Sequence, residues 1–374
     1  EWSVESIEKG GFATFMLKEI HEQPAVISKM IGRFVDLNKL TLNISELGLN
    51  AIDLDRVRHI HIVGCGTAFF SGAVGRYFLE PAIGMPINVE LASEFRYRNP
   101  HVGRDSLVIA ISQSGETIDT LECVKFARAQ GAQVLSVCNK RHTEIPRHSD
   151  STLFMDCGPE IGVASTKAFT AMVFSQYLLS LAFNARTKRR EGYTLAQHAE
   201  QLRRLPHLLQ QAVELSDQVA KVSTSYFEYS QFLFIGRGTN CPIAYEGALK
   251  LKEISYIHAE GYGAGELKHG PIALVDRHMP VMVIVAKDRY YDKTIANIEE
   301  VRARDGQVVG LGPESDPQLS KLCSHVIECP QIDNEAFQAL INVIPLQLFA
   351  YHVAVLRGTD VDKPRNLAKS VTVE

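Results

Sequence analysis

No Cys-x-x-Cys pair occurs in this 374-residue sequence; its seven cysteines lie far apart, at 65, 123, 138, 157, 241, 323 and 329. That spacing excludes a zinc ribbon or a redox dithiol, and an odd, scattered count suits free thiols in a reducing cytosol. A cytoplasmic location is therefore expected. The thirteen histidines form no His-Glu-x-x-His and no compact cluster, so no metal site is expected. The glycine-rich NTPase loop is missing. No apolar run reaches the roughly 18 residues of a membrane span, and the longest, 171–183, is broken by Ser175, Gln176 and Ser180. It reads as a buried helix. The N-terminus has no basic-then-apolar leader, and it begins at Glu1 rather than Met, the expectation for a piece of something longer. A formal charge of −4 argues against nucleic acid or an anionic membrane as partner. What remains is a globular chain long enough for two or three domains.

The most informative stretch is Ser112-Gln113-Ser114-Gly115-Glu116-Thr117. It follows the apolar run 107–111 and precedes Ile118, Leu121, Val124 and Ala127, spaced near helical period. It reads as a strand-to-helix turn, where free N–H groups and the positive end of the helix dipole meet. Hydroxyls of Ser112, Ser114 and Thr117 and the Gln113 amide add donors, and Gly115 permits close approach. With no lysine in the turn, the implied ligand is a single phosphate, as on a phosphosugar. Plain helix capping by Ser and Thr explains the six residues about as well.

Along the chain, residues 1–50 read as a helical lead-in. Phe12, Phe15, Met16, Glu19 and Ile20 form an amphipathic pattern expected to stop before Pro24. The first domain, 51–190, opens on Ile60 to Thr67: strand, glycine turn, then an apolar helix from Phe69 to Leu79. A dinucleotide fingerprint needs a third glycine where Phe69 stands. Strands at 87–91, 107–111 and 133–138 alternate with helices, which implies a parallel, doubly wound sheet with ligands outside the strand C-termini. Ser165 or Thr166 is placed to cap the helix from Ala168 and point at the same pocket, although a plain cap is the more ordinary reading. The charged stretch 187–192 marks the domain boundary.

The second domain, 191–358, begins with helical residues 195–228. Then Phe232 to Thr239 repeats Ile60 to Thr67 at an offset of 172 residues, and Val281 to Ala286 stands where 107–111 stands in the first copy. The copies differ: Lys287-Asp288-Arg289 replaces the serine–threonine turn, so one phosphate site is expected. On the helix near Pro242, Glu246, Lys250 and Glu253 share one face. A solvated salt-bridge ladder is the ordinary reading; a carboxylate tuned by lysine for proton transfer is the sharper one. The glycine-rich loop 261–270 presents His269, an acid/base candidate. A last apolar helix is expected after Pro345, capped by Gly358. The tail 359–374 is neither low-complexity nor highly charged, which suggests that it packs. Lys369 there is a candidate amine nucleophile.

Together, Cys-Gly-Thr at 65–67, Ser-Gln-Ser-Gly-Glu-Thr at 112–117, the 160–169 segment Glu-Ile-Gly-Val-Ala-Ser-Thr-Lys-Ala-Phe, 246–256, Gly-Glu-Leu-Lys-His-Gly-Pro at 265–271 and the 364–374 tail resemble the sugar-isomerase (SIS) domain pair of the glutamine–fructose-6-phosphate aminotransferase family. The resemblance runs nearly end to end. It implies an α/β fold of two tandem SIS domains, each a flavodoxin-like parallel sheet with flanking helices, plus a catalytic tail. It implies that Ser112, Gln113, Ser114 and Thr117 hold the 6-phosphate of fructose 6-phosphate, with Thr67, Ala68, Val163, Ala164, Ser165 and Ala368 completing the substrate site. Lys369 would form a Schiff base with the C2 ketone. His269, from the neighbouring subunit of a homodimer, would open the ring, and Glu253, assisted by Lys250, would move a proton between C1 and C2. The implied product is glucosamine 6-phosphate. No metal or organic cofactor is implied, because lysine activates the carbonyl. The family's glutaminase half is absent from these residues. Ala68 stands where the family usually has serine. A stand-alone SIS sugar-phosphate isomerase, deaminase or deglycase and a non-catalytic phosphosugar sensor are the alternatives. The Asn-Leu-Ala-Lys tail argues against the first, and the joint presence of Glu253, His269 and Lys369 against the second.

Overall fold

A computed structural model describes residues 8–188 and 190–373. Residues 1–7 of the expected lead-in, Arg189 of the expected connector and Glu374 lie outside the described residues.

Two five-stranded parallel sheets carry the fold. The first contains β1 (His59–Gly64), β2 (Ile87–Leu91), β3 (Ser106–Ser112), β4 (Gln133–Cys138) and β5 (Ser151–Phe154) in the order β2-β1-β3-β4-β5. The second contains β6 (Gln231–Gly236), β7 (His258–Gly263), β8 (Val281–Ile284), β9 (Val308–Gly312) and β10 (His325–Glu328) in the order β7-β6-β8-β9-β10. The two orders are the same, so the sequence repeat is a repeat of topology. Gly64 and Gly236, 172 residues apart, end the equivalent strands β1 and β6. All seven residues of β3 are buried, as a central parallel strand covered on both faces requires. The strand order reverses between β1 and β3, and their C-terminal ends open a crevice there. Thr67 and Ser112 stand at that crevice.

Several helix boundaries differ from expectation. The first helix runs Phe15–Phe34, straight through Pro24. Proline removes the N–H that would bond the Ile20 carbonyl. The Gln23 side-chain amide donates to that carbonyl instead, at 3.0 Å, so the helix continues. It packs against the helices Lys167–Thr187 and Leu195–Glu214. The next helix starts at Thr67 and ends at Ile83, longer at both ends than the apolar pattern suggested. The last helix starts well before Pro345, at Glu335, where the Asn334 side chain accepts from the Ala336 and Phe337 N–H groups and fixes the start. Strand β8 ends at Ile284 rather than Ala286. The helical region after 195 divides into Leu195–Glu214 and Ser216–Ser223, with Leu202, Leu205, Leu208, Leu209 and Val213 buried as the pattern implied.

By length and composition, Lys167–Thr187 and Glu335–Leu356 could each cross a membrane, yet 94% and 83% of their most apolar windows are buried inside the protein. They are the core helices of the two units. All seven cysteines are free, and no group of three or more metal-ligating side chains occurs among the described residues.

Candidate functional site

The turn after β3 does not simply cap a helix. Thr117 precedes Ile118–Ala129, but its side chain makes no capping bond. Instead the hydroxyls turn inward. Ser112 Oγ accepts from the Gly115 N–H at 3.1 Å and lies 3.1 Å from Thr117 Oγ1 and 3.5 Å from Ser114 Oγ. Ser114 Oγ accepts from the Glu116 N–H at 3.1 Å. Gly115 has φ +69°, and a Cβ there would stand 2.1 Å from Thr143 Oγ1, so no side chain fits. The Gln113 amide nitrogen is buried without a partner. An orphaned donor beside three convergent hydroxyls suits an oxyanion.

This turn forms one wall of a cavity of about 310 Å³. Thr67, Ala68, Ser112, Gln113, Ser114, Thr117, Val163, Ser165, Lys250, Glu253, Ala368 and Lys369 all line it. Residues from the first unit, the second unit and the tail thus meet in one place. Two expected residues do not line it within the chain. Ala164 is buried, 1% exposed. His269 is exposed, on the short turn Leu267–His269 after β7.

The tail packs, as its composition suggested. Val371 O accepts from the Ile118 N–H at 3.1 Å, and Ser370 Oγ donates to Ser114 Oγ at 3.2 Å. These bonds carry Lys369 into the cavity. Its ammonium donates to Glu160 and, at 2.8 Å, to the Gly162 carbonyl. Glu160 is the residue that reading the sequence missed. Its carboxylate also accepts from the Thr166 and Ala168 N–H groups at 2.9 and 3.0 Å, and from Ser165 Oγ at 3.0 Å. Glu160 therefore caps the Lys167–Thr187 helix, and neither Ser165 nor Thr166 does; Thr166 Oγ1 has no partner. A carboxylate seven residues before the first residue of a helix matches no local capping pattern, so only its place in the 160–169 motif marked it. Burial pushes its carboxyl up, but the Lys369 ammonium and the two N–H donors outweigh that and hold it below the usual carboxylate range.

Opposite lies the Asn240–Ser255 helix. Lys250 and Glu246 are fully buried, which excludes the solvated ladder. Lys250 Nζ lies 2.6 Å from Glu253 and 3.4 Å from Glu246. It also donates to Thr67 Oγ1 at 3.1 Å, and Thr67 donates to Glu246 at 3.2 Å. Thr67, expected beside the phosphate, is thus also the bridge between the two units. Burial, partly offset by Lys250, pushes the Glu246 carboxyl up to about 7. Burial pulls the Lys250 ammonium down, but Glu246 and Glu253 together hold it above its ordinary value. One ammonium faces two carboxylates, and the fully buried, more distant one, Glu246, is the one pushed up.

The SIS domain family model matches residues 53–182 and 226–357, once over each sheet. The chain belongs to the SIS domain family. Among curated relatives, a glutamine–fructose-6-phosphate aminotransferase (isomerizing) of Thermus thermophilus is 48% identical over 378 residues, and that of Pseudomonas aeruginosa is 47% identical over 372. These alignments take in 100% and 99% of this chain but 61% and 60% of the relatives, so the chain spans about three-fifths of their length. The solved C-terminal domain of glucosamine-fructose-6-phosphate aminotransferase from Francisella tularensis superposes with a TM-score of 0.86 at 38% identity, covering 95% of this chain and 100% of that one. The double-SIS fold and the match to the isomerase half of this enzyme family thus agree with the reading of the sequence. A glucosamine-6-phosphate deaminase structure from Thermotoga maritima, TM-score 0.74 at 21% identity over 96% of this chain and 99% of that one, shares the fold.

Proposed function

We propose that this SIS pair binds fructose 6-phosphate and forms a Schiff base between Lys369 and the C2 ketone, en route to glucosamine 6-phosphate. The observation that carries the proposal is the convergence of Lys369, the Ser112–Thr117 turn and Glu253 on one cavity. The hydroxyls and the free Gln113 amide take the phosphate. Lys369 gives up a proton, with Glu160 the carboxylate in contact, and its amine adds to C2 with loss of water. Ammonia then displaces the lysine, and Glu253 carries a proton from C1 to C2. Lys250, 2.6 Å from Glu253, holds that carboxyl in place. No metal or organic cofactor takes part in this scheme.

The ring must open first, and we assign that to His269 of a second copy of the chain, because this chain's own His269 lies outside the cavity. A homodimer is the assembly proposed. The family's glutaminase half is not among these residues, so ammonia is added in the test, or isomerisation to glucose 6-phosphate is followed without it.

Glucose 6-phosphate formation from fructose 6-phosphate is measured beside Lys369→Ala. Turnover lost in the variant, with substrate still bound, is the expected result. Binding without turnover in either protein would mean a phosphosugar sensor. Equal turnover in both would remove Lys369 from the chemistry.

A further inference from the structure

Glu19, on the first helix, is 2% exposed and far in sequence from every residue of the cavity. Its carboxyl nevertheless reaches the loop that receives Lys369. Glu19 Oε1 accepts from the N–H groups of Ile161 and Gly162, the latter at 3.2 Å. The carbonyl of that same Gly162 takes the Lys369 ammonium at 2.8 Å. A Cβ at Gly162 would stand 2.9 Å from Glu19 Oε2, so the backbone approaches the carboxyl as closely as glycine permits. The helix bearing Glu19 is fixed from the tail as well. The Asp362 carboxylate accepts from the Phe15 and Met16 N–H groups at 2.9 and 2.8 Å, and its backbone carbonyl accepts from the Val163 N–H at 3.0 Å. First helix, 160–163 loop and tail therefore close into one ring of hydrogen bonds around Lys369.

We infer that Glu19 is a positioning residue for Lys369: by holding the Ile161–Gly162 peptides, it aims the Gly162 carbonyl and the Glu160 carboxylate at the amine and so sets where the amine meets the sugar ketone. This rests on the Schiff-base reading above. Burial, with the Glu160 charge adding to it, pushes the Glu19 carboxyl up to about 8, while the Ile161 N–H and the Lys369 and Lys167 ammoniums pull the other way. A neutral carboxyl still accepts both N–H bonds through one oxygen, and an amide does the same.

The test uses the full chain and two variants, Glu19→Ala and Glu19→Gln. Three quantities are read: kcat and KM for fructose 6-phosphate isomerisation, the rate at which borohydride traps the sugar on Lys369 (located by peptide mass), and the thermal midpoint. Glu19→Ala is expected to lower kcat and the trapping rate at least tenfold per folded molecule, with KM within about twofold, because the phosphate turn is untouched. Glu19→Gln is expected to recover most of that loss. Trapping in Glu19→Ala equal to the unaltered chain overturns the inference. So does a fall in kcat that only follows the folded fraction, or a Gln variant as impaired as Ala. Absence of trapping in the unaltered chain would instead overturn the Schiff-base reading itself, which keeps the two failures distinct.

Discussion

Glu246 shows what burial does to a single carboxyl. Its ordinary value is near 4.5 and it titrates at about 7 in the fold. Below pH 4.5 it is protonated whether the chain is folded or not. Between 4.5 and 7 the unfolded chain releases the proton while the folded one keeps it, so its contribution to stability is lost as pH rises through that window. Glu246→Gln removes this penalty. The stability of the Gln variant relative to the unaltered chain is expected to rise from pH 4.5 to 7.5, by at most about 3 kcal/mol. Thermal or urea unfolding of both proteins across that range checks it, and a pH-independent difference would mean that the carboxyl is ionised throughout. Ala68 offers a second test at this scale. It lines the cavity at the start of a helix, where the family usually carries a hydroxyl. A hydrogen bond to a charged group contributes about 1.5–3 kcal/mol. Ala68→Ser is therefore expected to lower KM for fructose 6-phosphate by tenfold or more with kcat nearly unchanged, read from initial rates. An unchanged KM would place the phosphate out of reach of this position.

At the scale of elements, the first helix depends on one amide. Gln23 is fully buried, repairs the Ile20 carbonyl that Pro24 leaves open, donates to Gln347 Oε1 at 2.8 Å and accepts from Thr170 Oγ1. Gln23→Ala strands three buried groups, each costing about 1–3 kcal/mol when unpaired. A loss of at least about 2 kcal/mol in urea unfolding is expected; a loss below about 0.5 kcal/mol would mean that the helix bridges Pro24 without help. The same residue shows what the sequence could and could not disclose. Strands, repeat and turn were legible because a buried parallel sheet imposes apolar runs, and glycines mark its turns. Pro24 misled because local rules count the missing N–H and not the Gln23 side chain that replaces it. Pro345 misled because it read as a helix start, whereas the Asn334 side chain starts that helix at Glu335. Burial of Lys250 and Glu246 was hidden for a related reason. An i, i+4 pair looks the same on a solvated face as on one pressed against the other unit, where Thr67 receives it. Glu160 was hidden because its partners, Lys369 and the Lys167–Thr187 helix, come from different parts of the chain. The long motifs located Glu160, Glu246, Lys250 and Lys369 without saying what any of them touches.

At the scale of the whole molecule, one chain supplies every proposed group except the ring-opening histidine. The Ser112 turn, Glu253 and Lys369 share a cavity, while His269 stands exposed on the second unit. If a second copy completes the site, each functional cavity needs Lys369 from one chain and His269 from the other. Lys369→Ala and His269→Ala homodimers then each lack one group in both cavities and are expected to be nearly inactive toward the closed sugar. Mixed in equal amounts and allowed to exchange subunits, they give half heterodimers by random pairing. Each heterodimer has one cavity with both groups and one with neither. The mixture should therefore recover about a quarter of the unaltered activity, a value set by two-fold symmetry and not by any rate constant. Recovery near that level, seen only after exchange, would establish the shared site. No recovery, with exchange verified by mass, would mean that each chain uses its own His269 through a movement of the loop after β7, or that the ring opens without it.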